Sequence, residues 1–153
     1  VGKIIRIDHV AIAVTSLSEA GGILSEKFGG KFLREIENKE EKYIVAYYQL
    51  GENVLTILQP TSEDSFIAKH IEQKGQGLHH LGLEVEGLED LVIELEDKGV
   101  KIPLKDLDDP ERKEVVLSPR NTFGVVFQLV EWLGGSNPSL EERMDRVIRF
   151  RES

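Results

Sequence analysis

The sequence contains no cysteine. That excludes disulfides, thiolate metal sites and cysteine nucleophiles, and it confines any metal site to histidine, carboxylate, amide or hydroxyl donors. Basic residues are few beside acidic ones: 19 Lys and Arg against 28 Asp and Glu, a net charge of −9. A general nucleic-acid binder needs a basic surface to meet the phosphate backbone, so that class is set aside. No apolar run approaches the ~18 residues of a membrane-spanning helix, so no membrane partner is expected. Residues 1–7 show neither an apolar secretion core nor a small-residue cleavage site. They read directly as strand, and the cytoplasm is the expected compartment. No stretch is low in complexity. What remains is a chain of 153 residues, 40% hydrophobic and 31% charged. That is enough for one ordinary domain with a real core, or two very small ones.

The most informative positive feature is an internal repeat. Residues 7–14 read Ile-Asp-His-Val-Ala-Ile-Ala-Val and residues 78–85 read Leu-His-His-Leu-Gly-Leu-Glu-Val. Superposed, His9 falls on His80, Ala11 on Gly82 and Val14 on Val85, an offset of 71 residues. A fixed internal period of this kind indicates one supersecondary unit used twice. Each copy continues the same way. Ser16-Leu17-Ser18-Glu19 is a capping box that opens a helix towards Phe28, and Leu88 to Lys98 carries apolar residues at helical spacing. Glycines follow both helices, at Gly29 and Gly99. Strands are expected at Lys31–Glu37, Tyr43–Leu50 and Asn53–Gln59 in the first copy. In the second they are expected at Val100–Leu104, Lys113–Leu117 and Gly124–Glu131. The unit is βαβββ. A short helix, Ser65–Lys74, capped by Asp64 or Ser62, links the copies. A hinge at Gly134–Pro138 precedes a C-terminal helix that starts near Ser139. Gly21-Gly22 inside the first helix reads chiefly as a close helix–sheet contact.

Side chains alternate faces along a strand. His9 therefore shares a face with Ile7 and Ala11, and His80 with Gly82. On the last strands, Val54, Thr56 and Leu58 share a face, as do Val126, Gln128 and Val130. The repeat thus relates His9 to His80 and Thr56 to Gln128. Two matched imidazoles with two matched polar side chains, beside small residues, make a plausible metal site. His70 and His79 read as structural or surface residues.

These features resemble the vicinal oxygen chelate superfamily, the glyoxalase and bleomycin-resistance fold, and within it the methylmalonyl-CoA epimerases. The segments that carry the likeness are Ile7–Val14, Asp64-Ser65-Phe66-Ile67-Ala68-Lys69, Gly77–Val85, and Ser118-Pro119-Arg120 with Phe123–Val126. The resemblance implies an α+β fold, two βαβββ modules forming a cupped eight-stranded mixed sheet. It places a single domain over residues 1–133, with module one at about 4–60, the linker helix at 64–75 and module two at about 78–133. Residues 134–153 form a C-terminal helical extension. The resemblance also implies a divalent metal ion (Co, Ni, Zn or Mn) held by His9, His80, Gln128 and, weakly, Thr56. The activity implied is isomerisation: removal of the proton alpha to a thioester through an enolate, with an acyl-CoA as small-molecule substrate. A homodimer is expected.

Two positions depart from the pattern. Thr56 stands where the epimerases have Gln or Glu, and Gln128 where they have a metal-binding Glu. The donor set loses its carboxylate, which predicts weak metal binding, and neither residue can serve as a base near neutral pH. Gln128 sits at a catalytic position without the acid. Val45 stands where some epimerases place a second Glu, and Tyr47 and Gln49 beside it could line a substrate pocket. Glu35, Glu37 and Glu114 read as solvated surface carboxylates. Lys69, Lys74, Arg112, Lys113 and Arg120 read as solvated cations. A glyoxalase-like lyase, or a small-molecule-binding member without catalysis, stays open beside the isomerase.

Overall fold

The computed structural model describes residues 1–134 and 138–150. Most of the expected hinge at Gly134–Pro138 lies outside the described residues. Eight strands and four helices follow in the order β1 (Lys3–Ala13), α1 (Leu17–Gly21), β2 (Lys31–Asn38), β3 (Tyr43–Leu50), β4 (Asn53–Pro60), α2 (Phe66–Lys74), β5 (Gly77–Glu86), α3 (Leu88–Asp97), β6 (Leu104–Asp106), β7 (Arg112–Leu117), β8 (Val126–Trp132) and α4 (Leu140–Arg149). Two compact units divide the chain. One joins residues 9–79 to α4, and the other joins residues 1–8 to the second module and Phe150. In the first, the strand order is β2-β3-β4-β1, with β1 contributing its second half. In the second, the order is β1-β5-β8-β7-β6. β1 belongs to both, so the eight strands form one mixed sheet, and the fold is α+β.

Each module pairs its first and last strands in parallel, β1 with β4 and β5 with β8, and its remaining strands antiparallel. β3 and β4 are joined through Gly51-Glu52. Gly51 sits at φ +61, where a residue without a side chain is least strained.

The faces of module one are covered differently. Leu24, Ala46, Tyr48 and Ile57 pack under the first helix. On the other face Ala11, Ala13, Val45 and Leu58 pack against Ile67 of α2, and Val54 packs against Met144 and Val147 of α4. In module two, Val85, Val115, Leu117 and Leu129 pack against Leu88 and Val92 of α3. Burying each such side chain is worth about 1.5–3 kcal/mol. The opposite face of module two carries His80, Gly82, Glu84, Glu114 and Gln128.

Three local expectations are corrected. The strand expected at 100–104 forms at Leu104–Asp106, because Pro103 cannot donate to a ladder while Val100 and Ile102 join the α3 core. The cap of α2 is Ser65 rather than Asp64 or Ser62. Its buried hydroxyl accepts from Ile67 N at 3.2 Å, while Ser62 and Asp64 bond each other and Asp64 pairs with Lys42. Those contacts, Lys42 first, lower the Asp64 pKa to about 2. The helix capped by Ser16, whose hydroxyl accepts from Glu19 N at 3.1 Å, is not α-helical to its end. From Gly22 to Lys27 it widens into π-type turns.

The paired glycines in that helix behave differently. A Cβ on Gly21 would lie 2.8 Å from the Tyr48 hydroxyl, whereas one on Gly22 would meet nothing within 4 Å. Gly22 also has ordinary helical angles, φ −59 and ψ −42. Gly22→Ala should therefore stabilise the protein by about 0.5–1 kcal/mol, through helix propensity. Gly21→Ala should lose that gain and destabilise, because the buried Tyr48 ring must shift. Urea midpoints of the two variants check the opposite signs.

Candidate functional site

The first matched pair lies on β1 and β4. His9 is level with Val54, and Ala11 with Thr56. Partners across a ladder point to the same face, so His9 and Thr56 stand diagonally on one surface with Ala11 between them. Both are buried, His9 at 7% and Thr56 at 4% exposure. Ile7, expected on the same face, is half exposed. Thr56 lies opposite Tyr47 on β3, whose ring is shared by the clusters under α2 and α4. Val45 is buried in the α2 cluster, with Tyr43 and Tyr47 packed beside it. The Gln49 amide donates to Gly51 O at 3.0 Å and so closes the hairpin.

The second pair repeats the arrangement. His80 is level with Val126 and Gly82 with Gln128, so His80 and Gln128 have the same diagonal relation across Gly82. The exchange of Ala11 for Gly82 and of Thr56 for Gln128 trades a small neighbour and short polar group for none and a longer one.

Gln128 is not alone. β7 runs antiparallel to β8, with Val116 level with Gln128, Glu114 with Val130 and Arg112 with Trp132. Alternation puts Arg112, Glu114 and Gln128 on one face. The Gln128 amide Nε2 donates to Glu114 Oε2, and the same oxygen accepts from Arg112 NH2 at 3.2 Å. The side chains of Arg112 and Glu114 are 11% and 16% exposed. Glu114 and Arg112 are therefore not the solvated surface residues that the sequence suggests.

The Arg112 guanidinium sits 4.2 Å from the ring centre of Phe150 and 5.2 Å from that of Trp132. Contacts of this kind contribute about 0.5–2 kcal/mol each. Trp132 Nε1 donates to Asp8 Oδ1 at 2.8 Å. The acidic loop contributes as well: Asp109 Oδ1 accepts from Glu111 N and Arg112 N, at 2.8 and 3.1 Å, and fixes the start of β7. Two atoms of this group stand apart. Arg112 Nε is buried and meets no acceptor among the described residues. Gln128 Oε1 is buried and meets no hydrogen-bond donor among the described residues. An unsatisfied buried acceptor costs about 1–3 kcal/mol, so it marks a place where another group belongs.

His70 on α2 and His79 on β5 lie with ring centres 4.7 Å apart, and Phe66 packs on His79. Burial, with His70 and Lys74 nearby, lowers the His79 pKa to about 4. Burial and Lys74 lower that of His70 as well. Both imidazoles stay neutral at pH 7 and serve packing. Glu35 and Glu37 are exposed, as are Lys69, Lys74 and Arg120. Lys113 pairs with Glu89 at 2.9 Å, and that bond raises its pKa.

Residues 8–113 match the Glyoxalase/Bleomycin resistance protein/Dioxygenase superfamily. The chain belongs to this superfamily. Among its superfamily relatives is YqjC of Bacillus subtilis (strain 168), 33% identical over 130 residues, which are 82% of this chain and 91% of that one. Human mitochondrial methylmalonyl-CoA epimerase is 28% identical over 127 residues, 81% of this chain and 72% of the epimerase. A solved structure of Streptomyces coelicolor methylmalonyl-CoA epimerase, in complex with 2-nitronate-propionyl-CoA, superposes with a TM-score of 0.77 at 24% identity. It covers 86% of this chain and all of that one, and it is evidence of shared fold.

Membership in this superfamily raises the question of a divalent ion. Among the described residues no three His, Asp or Glu side chains converge into a metal cluster. The donors that fit are mixed. On module two they are the His80 imidazole and the unsatisfied Gln128 Oε1, a nitrogen and a neutral oxygen suited to a first-row ion that keeps several waters. His9 and the Thr56 hydroxyl are their counterparts on module one.

Proposed function

We propose that this chain is an epimerase-type isomerase that acts on a small acyl-CoA, removing and returning the proton alpha to the thioester. The observation that carries this reading is the matched pair of diagonals, His9 with Thr56 and His80 with Gln128, in a chain whose curated relatives include methylmalonyl-CoA epimerases. His80 and Gln128 would hold a divalent ion on module two, and when bound it would supply positive charge to the enolate oxygen of the thioester.

A second reading is favoured by one specific observation. Neither Thr56 nor Gln128 can act as a general base near neutral pH, which suits a member that binds an acyl-CoA without turning it over. One experiment separates the two. Methylmalonyl-CoA is incubated in heavy water with protein loaded with Co2+ or Mn2+, and deuterium at the alpha carbon is followed by mass spectrometry. Exchange well above the protein-free rate is expected. Exchange at background, with the thioester still bound, would leave the binding reading standing.

A further inference from the structure

We infer that Glu114 is a positioning residue for a cation-binding amide: the Arg112–Glu114 pair turns Gln128 so that its Oε1 is the coordinating atom. The carboxylate missing from residue 128 stands one strand away, on β7, diagonally beside it on the same face. A glutamine amide can present either end, and which end faces a cation decides whether it binds or repels. Here the choice is made by Glu114, whose Oε2 accepts from Gln128 Nε2. The amide nitrogen is thereby turned to β7, and Oε1 is left buried with no donor among the described residues.

Glu114 is itself held. Arg112 NH2 donates to the same Oε2 at 3.2 Å, and the guanidinium is backed by the Phe150 and Trp132 rings. The register keeps all three side chains on one face of β7 and β8, the face that also carries His80 across Gly82. Outer-sphere partners of this kind are worth 10–100-fold in metal affinity, because they fix the donor's orientation before the ion arrives. The arrangement differs from a directly ligating carboxylate in one respect. The negative charge of Glu114 stays paired with Arg112, and the ion meets a neutral oxygen.

The inference rests on the reading above only in taking a divalent cation as the ligand, and its test needs no thioester. Mn2+ and Co2+ are titrated into wild type, into Glu114→Gln, and into the double exchange Glu114→Gln with Gln128→Glu, by calorimetry and by Co2+ absorption. Unfolding midpoints are measured in parallel without metal. Glu114→Gln should weaken binding at least ~10-fold, since an amide at 114 no longer dictates which end of Gln128 faces inward. The double exchange restores a carboxylate–amide pair with the carboxylate at 128, and should bind at least as tightly as wild type.

A loss of midpoint in Glu114→Gln without a change in affinity would make Glu114 merely structural and overturn the inference. A double exchange no better than Glu114→Gln alone would overturn it too. So would a wild type that binds neither ion, while the deuterium-exchange assay would still decide the isomerase reading on its own. Conversely, the predicted affinity pattern without any exchange would retire the isomerase reading and leave the role of Glu114 intact.

Discussion

Arg6→Met should destabilise the protein by about 3–5 kcal/mol, the cost of removing one half of a buried ion pair. Arg6 extends from the first half of β1 to Glu84 on β5, with Nε 3.4 Å from Oε2. Glu84 is 1% exposed and lies on the same face of module two as His80 and Gly82. Methionine keeps the aliphatic stem of the arginine, so the loss isolates the charge rather than the packing. The pair as a whole is worth much less than either half. Arg6→Met combined with Glu84→Met removes both charges and should recover most of the lost stability, because two desolvation penalties vanish with the attraction. Urea unfolding at pH 7 of both single variants and the double variant gives the coupling energy directly. A single-variant cost below about 1 kcal/mol would mean that water reaches Glu84 and that the pair is an ordinary surface one.

The second large effect belongs to Phe150. Its ring is 5% exposed, meets Trp132 edge to face at 5.3 Å, and backs the Arg112 guanidinium. Phe150→Ala should cost about 3–5 kcal/mol, from lost burial and the cavity left beside Trp132. Phe150→Leu should cost under about 1.5 kcal/mol, because most of the volume is kept. The residue just before it ends α4, which docks on module one. There Met144 and Val147 pack on Val54, Arg34 donates to Ile148 O at 2.6 Å, and Arg143 donates to Glu52 O at 3.2 Å. The alanine variant should therefore lose stability without a change in helix content. Circular dichroism and urea midpoints together check this. A matching loss of helix would show instead that Phe150 holds α4 in place.

Much of this architecture was legible in the residues. Strand alternation around His9 and His80, and around Thr56 and Gln128, was enough to place each pair on a common face, because period-two geometry is local. The helix caps were partly legible. Ser16 was, since its partner Glu19 lies three residues on. The cap of α3 was not, because Glu131 reaches back from β8 to Gly87 N and Leu88 N, at 2.7 and 3.3 Å. A carboxylate more than 40 residues away leaves no mark near the helix it caps. The burial of Glu114 was not legible for a related reason. Its own strand shows Arg112, Glu114 and Val116 on one face. The antiparallel register that brings Glu114 to Gln128 depends on the geometry of the loop 118–125, which the sequence does not specify. That loop includes a single 3-10 turn at Pro119–Asn121 and a positive φ at Phe123.

By itself, then, the sequence determined the repeated βαβββ unit, the two matched histidines, and the absence of a carboxylate at residues 56 and 128. Each of these follows from local periodicity or from identity at a position. Only the tertiary structure decided that a carboxylate stands beside Gln128 after all, that Arg112 is held against two rings, and that one buried amide oxygen is left to find a partner. Those facts depend on which residues neighbouring strands bring level, and that is set by packing across the sheet rather than by any stretch of chain.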